Sequence, residues 1–156
     1  MDARATKGFN MAEKETSGGL TAAERAAVKE RAAELRAQSK AADKREAGLK
    51  DVLAAIEKLD GSDQKLASRL HEIVSEAAPT LVPKTYYGMP GWANDDGKIV
   101  CFFQPASKFK VRYGTFAFEQ PAKLDDGTMW PTAWALLEMT PEHETAITAL
   151  VKRAVG

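Results

Sequence analysis

The sequence predicts an α+β domain, a two-layer sandwich in which an antiparallel sheet of about four to five strands carries helices on one face, preceded by an alanine-rich helix. Three observations predict it. Of the twelve aromatic residues only Phe9 precedes residue 81, whereas 18 of the 27 alanines do, so a helix-prone half is joined to an aromatic-rich half. Apolar residues recur at helical spacing through the middle of the chain and then change to strand-like runs. Short turns of the Asp-Gly type separate those runs, which makes the sheet a meander.

Residues 1–20 mix charge with Gly18-Gly19 and read as a flexible tail, because they hold too few large apolar groups to offset their ordering entropy. Thr21-Ala22-Ala23-Glu24 has the form of a capping box and predicts a helix start. Val28 and Leu35 are the only large apolar groups from Ala22 to Gln38, so this helix lies on the surface or frays, and Ser39 to Gly48 reads as a charged linker. Residues 21–48 thus form a helical extension with its linker, and 49–156 the main domain.

Leu49, Val52, Leu53, Ile56 and Leu59 set one helix face, with Gly61 placed to end it in the left-handed conformation. Ser62 or Asp63 then caps a second helix, whose face is Leu66, Leu70, Ile73, Val74 and Ala77 until Pro79 closes it. Tyr86 to Ala93, Ile99 to Phe103, Lys110 to Phe118 and Ala133 to Glu138 read as strands. Asn94-Asp95-Asp96-Gly97 and Asp125-Asp126-Gly127 supply turns. Thr140-Pro141 caps a closing helix with Ile147, Leu150, Val151 and Ala154 on its apolar face.

Composition narrows function. The 156 residues balance 22 basic against 22 acidic groups, which argues against a domain-wide field for nucleic acid. No apolar run reaches the roughly 18 residues of a membrane helix, no segment has signal-peptide form, and a single cysteine forms no internal disulfide, so the expected protein is cytoplasmic with no membrane partner. No glycine-rich phosphate loop appears, and His71-Glu72 lacks the second histidine of a metalloprotease helix. His71, His143 and Cys101 read as structural groups, which leaves no catalytic set and no metal ligands to single out.

The sheet offers more. On a strand from Lys108 to Phe118, alternation puts Lys108, Lys110 and Arg112 on one side and Phe109, Val111 and Tyr113 on the other, toward the helices. Tyr86 to Trp92 and Met129 to Trp134 mix aromatic groups with proline or glycine, and either plug the sheet or wall a pocket. The predicted ligand site therefore combines Lys98, Lys110 and Arg112 with Tyr87, Met89, Trp92, Phe102 and Trp130 on an uncovered basic and aromatic face. The ligand expected there is a small anionic or peptidic molecule, bound without catalysis.

The helix ending in Ala77-Ala78-Pro79, the Tyr87-Gly88-Met89-Pro90 step, Lys98 before Val100-Cys101-Phe102-Phe103, Phe109-Lys110 and Trp130-Pro131-Thr132 occur in an order that resembles the YdhG-like family, domain of unknown function 1801. The resemblance covers roughly Leu49 to Val155. It implies a small cytoplasmic bacterial domain with a two-layer α/β fold, and, because some members are called frataxin-like, an alternative role as an iron-binding chaperone. Hard carboxylate ligands suit iron, but here Asp51, Glu57, Asp60, Asp63, Glu72 and Glu76 are interspersed with Lys50 and Lys58.

Overall fold

Helix formation begins where the capping box places it. In a computed structural model, which describes residues 20–156, the Thr21 amide donates to Glu24 Oε1 at 2.8 Å and the Glu24 amide to Thr21 Oγ1 at 3.1 Å. The tail expected over residues 1–20 lies, apart from Leu20, outside the described residues. From this cap α1 runs unbroken over Ala22–Glu57. The linker expected at Ser39–Gly48 is instead helix, because its alanines, lysines, Arg45 and Glu46 are all strong helix formers. The chain divides into two compact units between Asp43 and Lys44, inside the helix. In the first unit Val28 and Leu35 stay exposed.

In the second unit Val52 and Ile56 are buried, whereas Leu49 and Leu53 remain exposed, so the buried stripe of α1 is narrower than its apolar pattern. Gly61, with φ +52°, reverses the chain into α2, Gly61–Ala77. Asp60, rather than Ser62 or Asp63, occupies the N-cap of α2 and makes no side-chain cap bond. Helix α3, Pro141–Ala154, starts from Thr140, whose hydroxyl accepts from the His143 amide. Arg69 of α2 grips Glu144 of α3 with two hydrogen bonds, of 3.0 and 2.6 Å.

The five strands described are β1 (Val82–Pro83), β2 (Gly91–Ala93), β3 (Ile99–Gln104), β4 (Gly114–Phe118) and β5 (Ala133–Leu136), antiparallel and ordered in space as in sequence. The register pairs Trp92 with Cys101, Cys101 with Phe118, and Phe116 with both Phe103 and Trp134. These side chains share one face and meet Val52 and Ile56 of α1, Leu66, Leu70 and Val74 of α2, and Ile147 and Val151 of α3 in one core. Between Trp92 and Ala93 the register slips by one residue, so Val100 is the extra residue of a β-bulge and is buried with that core. The opposite face carries Phe102, Gln104 and Thr115, all half-buried, and the exposed Ala133 and Ala135.

The edge strand β1 is closed off by α1. Arg45 donates to the Leu81 and Thr80 carbonyls at 3.1 and 3.3 Å. Gly48 approaches so closely that a Cβ there would stand 1.9 Å from the Pro83 carbonyl oxygen, so only glycine allows the helix this contact.

Two strand expectations are corrected. The strand expected from Lys110 starts only at Gly114, because Lys110 has φ +54° and Ala106–Lys110 forms a turn closed by the Val111 amide on the Ala106 carbonyl at 3.0 Å. The strand expected over Tyr86–Ala93 is interrupted by a two-residue turn at Tyr87 (φ +50°) and Gly88 (φ +78°), across which Tyr86 and Met89 exchange backbone bonds of 2.8 and 2.9 Å. Asn94 to Gly97 makes the expected hairpin turn, with Gly97 at φ +78°.

Candidate functional site

The residues expected to share a ligand face are dispersed. Trp92 is buried on the helix side of the sheet, where its Nε1 donates to His71 Nδ1 at 3.3 Å. Met89, on the other side of Pro90 and Gly91, is also buried. Lys110 and Arg112 belong to the β3–β4 connection and not to a strand, so the basic strand face does not form. Trp130 is half-buried in the wall of a separate 310 Å³ cavity with Phe118, Leu124 and Thr132.

Three of the expected residues do converge, on Tyr86. Its ring lies 4.7 Å from Tyr87 and 5.0 Å from Phe102, centre to centre, and it borders a 730 Å³ recess with Lys98 on another wall. The Tyr86 hydroxyl donates to Glu119 Oε2 at 2.8 Å, and that bond raises the phenol above its ordinary pKa by stabilising the protonated form. Lys84, also on the recess, donates to the Gly97 carbonyl at 2.8 Å and so anchors the hairpin turn that carries Lys98. Gly91 forms part of the floor's support: a Cβ there would stand 2.7 Å from the Lys84 carbonyl oxygen and 3.2 Å from Ile99 Cδ1.

Among the described residues no ion pair engages Lys98, and the recess sets its ammonium group beside the Tyr86 ring and the carboxylates of Glu119 and Asp96, while Asn94 Oδ1 is taken up by the amides of Asp96 and Lys98 at 3.0 Å each. It suits a ligand with an anionic group and a flat or apolar portion. Sequence reading missed Lys84, Tyr86 and Glu119, although Tyr86 lies within the unusual Tyr86–Trp92 segment. Glu119 is 33 positions from Tyr86, and only the meander brings them together.

The remaining reactive groups are held in structural roles. Burial pushes the Cys101 thiol far up, away from a thiolate. His143 stands in the cap of α3, with Nδ1 2.9 Å from the Glu138 carbonyl oxygen. Among the described residues no three His, Cys, Asp or Glu side chains stand close enough to share a metal ion.

His71 carries a pH dependence. Desolvation lowers its pKa below 6.5 against a smaller opposing effect of Glu72. The unfolded chain therefore takes up the proton first. Stability is complete above 6.5 and declines as pH falls through that value toward the lower folded pKa. Thermal melting across the weakly acidic range is expected to show this decline, and His71→Gln, which does not titrate, is expected to flatten it.

Compared with known proteins, the chain matches no family model, no curated protein and no solved structure, so the site is argued from its own geometry.

Proposed function

We propose that the domain is a non-enzymatic binding module that takes a small anionic ligand with a planar or apolar part in the recess beside Tyr86. The observation that carries this reading is the 730 Å³ concavity that puts Lys98 and Tyr86 around one space on the sheet face opposite the core. Tyr86 offers its ring to the apolar part, Lys98 its ammonium group to the anion, and Glu119 fixes the phenol so that little rotamer entropy is lost on binding. The motif order that resembles the YdhG-like family supports the small two-layer α/β fold on which this reading is built, and names no ligand for it.

The test is a titration with benzoate, 4-hydroxybenzoate and nucleoside monophosphates, followed by amide spectra of the whole chain. The expected result is a saturable shift confined to Tyr86, Lys98, Ile99 and Gln120, lost in Lys98→Ala and reduced in Tyr86→Phe, with melting temperatures unchanged. Shifts that stay absent across the series, or persist undiminished in Lys98→Ala, would overturn the reading.

A further inference from the structure

A second surface lies where the β1–β2 turn and the β3–β4 connection meet. In a meander these two connections emerge at the same end of the sheet, and Lys108 ties them together by donating from Nζ to the Gly88 carbonyl at 3.1 Å. The two non-glycine residues with positive φ among those described, Tyr87 and Lys110, sit one in each connection. Backbone strain of that kind gathers where a chain is shaped for a ligand.

The β3–β4 connection has an unusual make-up. From Lys108 to Tyr113 every residue is exposed, cations alternate with Phe109, Val111 and Tyr113, and no carboxylate occurs. No ion pair engages Lys108, Lys110 or Arg112 among the described residues. Lys108 instead rests over Phe109 at 5.9 Å and Arg112 over Tyr113 at 5.1 Å. Beside this strip a 620 Å³ groove opens between the end of α1 and the two connections, with Ala54, Ala55 and Leu59 as its apolar part and Lys58 and Lys108 on its walls.

We infer that this groove and strip bind an acidic peptide segment of a partner protein, with an apolar side chain of the peptide entering beside Leu59 and flanking carboxylates meeting Lys108, Lys110 and Arg112. Exposed Phe109, Tyr113 and Arg112 are of the residue types enriched at protein interfaces. The charge is complementary to carboxylates. Asp51 and Asp60 also wall the groove, which disfavours a polyphosphate chain or a uniformly anionic lipid surface. The rings of Phe109 and Tyr113 each have a cation over one face, which leaves less room for base stacking. None of these residues borders the Tyr86 recess, so the inference goes beyond the proposed small-ligand site.

The experiment uses the full chain and fluorescein-labelled Glu-Glu-Leu-Phe-Glu-Glu as the probe, with Lys-Lys-Leu-Phe-Lys-Lys as the charge-reversed control. The expected result is saturable anisotropy with the acidic peptide alone, weakened about tenfold or more by Lys110→Glu with Arg112→Glu, and weakened by Phe109→Ser. Both variants change exposed residues, and unchanged melting confirms that they fold. No binding of the acidic peptide, equal binding of both peptides, or tighter binding to a single-stranded oligonucleotide or to phosphatidylglycerol vesicles would overturn the inference. Loss of benzoate binding in Lys98→Ala, with peptide binding retained, separates the two sites.

Discussion

Asp63→Ala is expected to lower the unfolding free energy by about 3–5 kcal/mol, because it removes a buried carboxylate that holds three donors. Asp63 is only 5% exposed. Its oxygens accept from the Ala106 amide at 3.2 Å, the Ser107 amide at 3.0 Å and the Ser107 hydroxyl. Removal leaves two backbone amides without their acceptor and frees the connection that carries Lys108 to Tyr113. Urea unfolding measures the loss, and faster amide exchange at Ala106 and Ser107 locates it. Asp63→Asn, which keeps one acceptor oxygen, is expected to cost less. Equal stability of Asp63→Ala and the parent chain would refute the role assigned to this carboxylate.

Phe103→Ala is expected to cost a similar amount, about 3–5 kcal/mol, through lost transfer energy and the cavity left behind. Phe103 is fully buried at the centre of the sheet. Its ring lies where Gly114 has no side chain: a Cβ on Gly114 would stand 2.8 Å from Phe103 Cε1. The neighbour thus has nothing to relax into the vacated volume, which places the cost toward the upper end of that range. Denaturant titration followed by the fluorescence of Trp92, which packs in the same core, provides the measurement.

The fold was legible wherever local periodicity and burial agree. The stripe Leu66, Leu70, Ile73 and Val74 is buried as its spacing predicts, and Thr140-Pro141 starts α3 where its capping chemistry places it. The strand expected from Lys110 failed for a tertiary reason. Its β-branched and aromatic composition favours a strand, but Asp63, 43 positions away from Ala106, captures the amides of the connection and bends it into a turn. No local pattern encodes that bond. The same holds for the candidate site. Tyr87 and Lys98 were legible because one sits in an unusual segment and the other follows a turn, and Phe102 because alternation along its strand sets it off from Cys101 and Phe103, whereas Glu119 gains its role only from the bond to Tyr86. Trp92 looked suited to a ligand and is instead the largest side chain sealed in the core.

The closure of β1 by Arg45 and Gly48 has a consequence for self-association. A sheet with two bare margins can add strands from both sides and so grow without limit into a fibre. Here Arg45 of α1 takes up the carbonyls of Thr80 and Leu81, and Gly48 brings the helix against the Pro83 carbonyl, while β5 forms the opposite margin of the sheet. Antiparallel strand addition at β5 alone would join two copies about a two-fold axis and stop there. The close approach that Gly48 allows therefore leaves room for growth on one side of the sheet only.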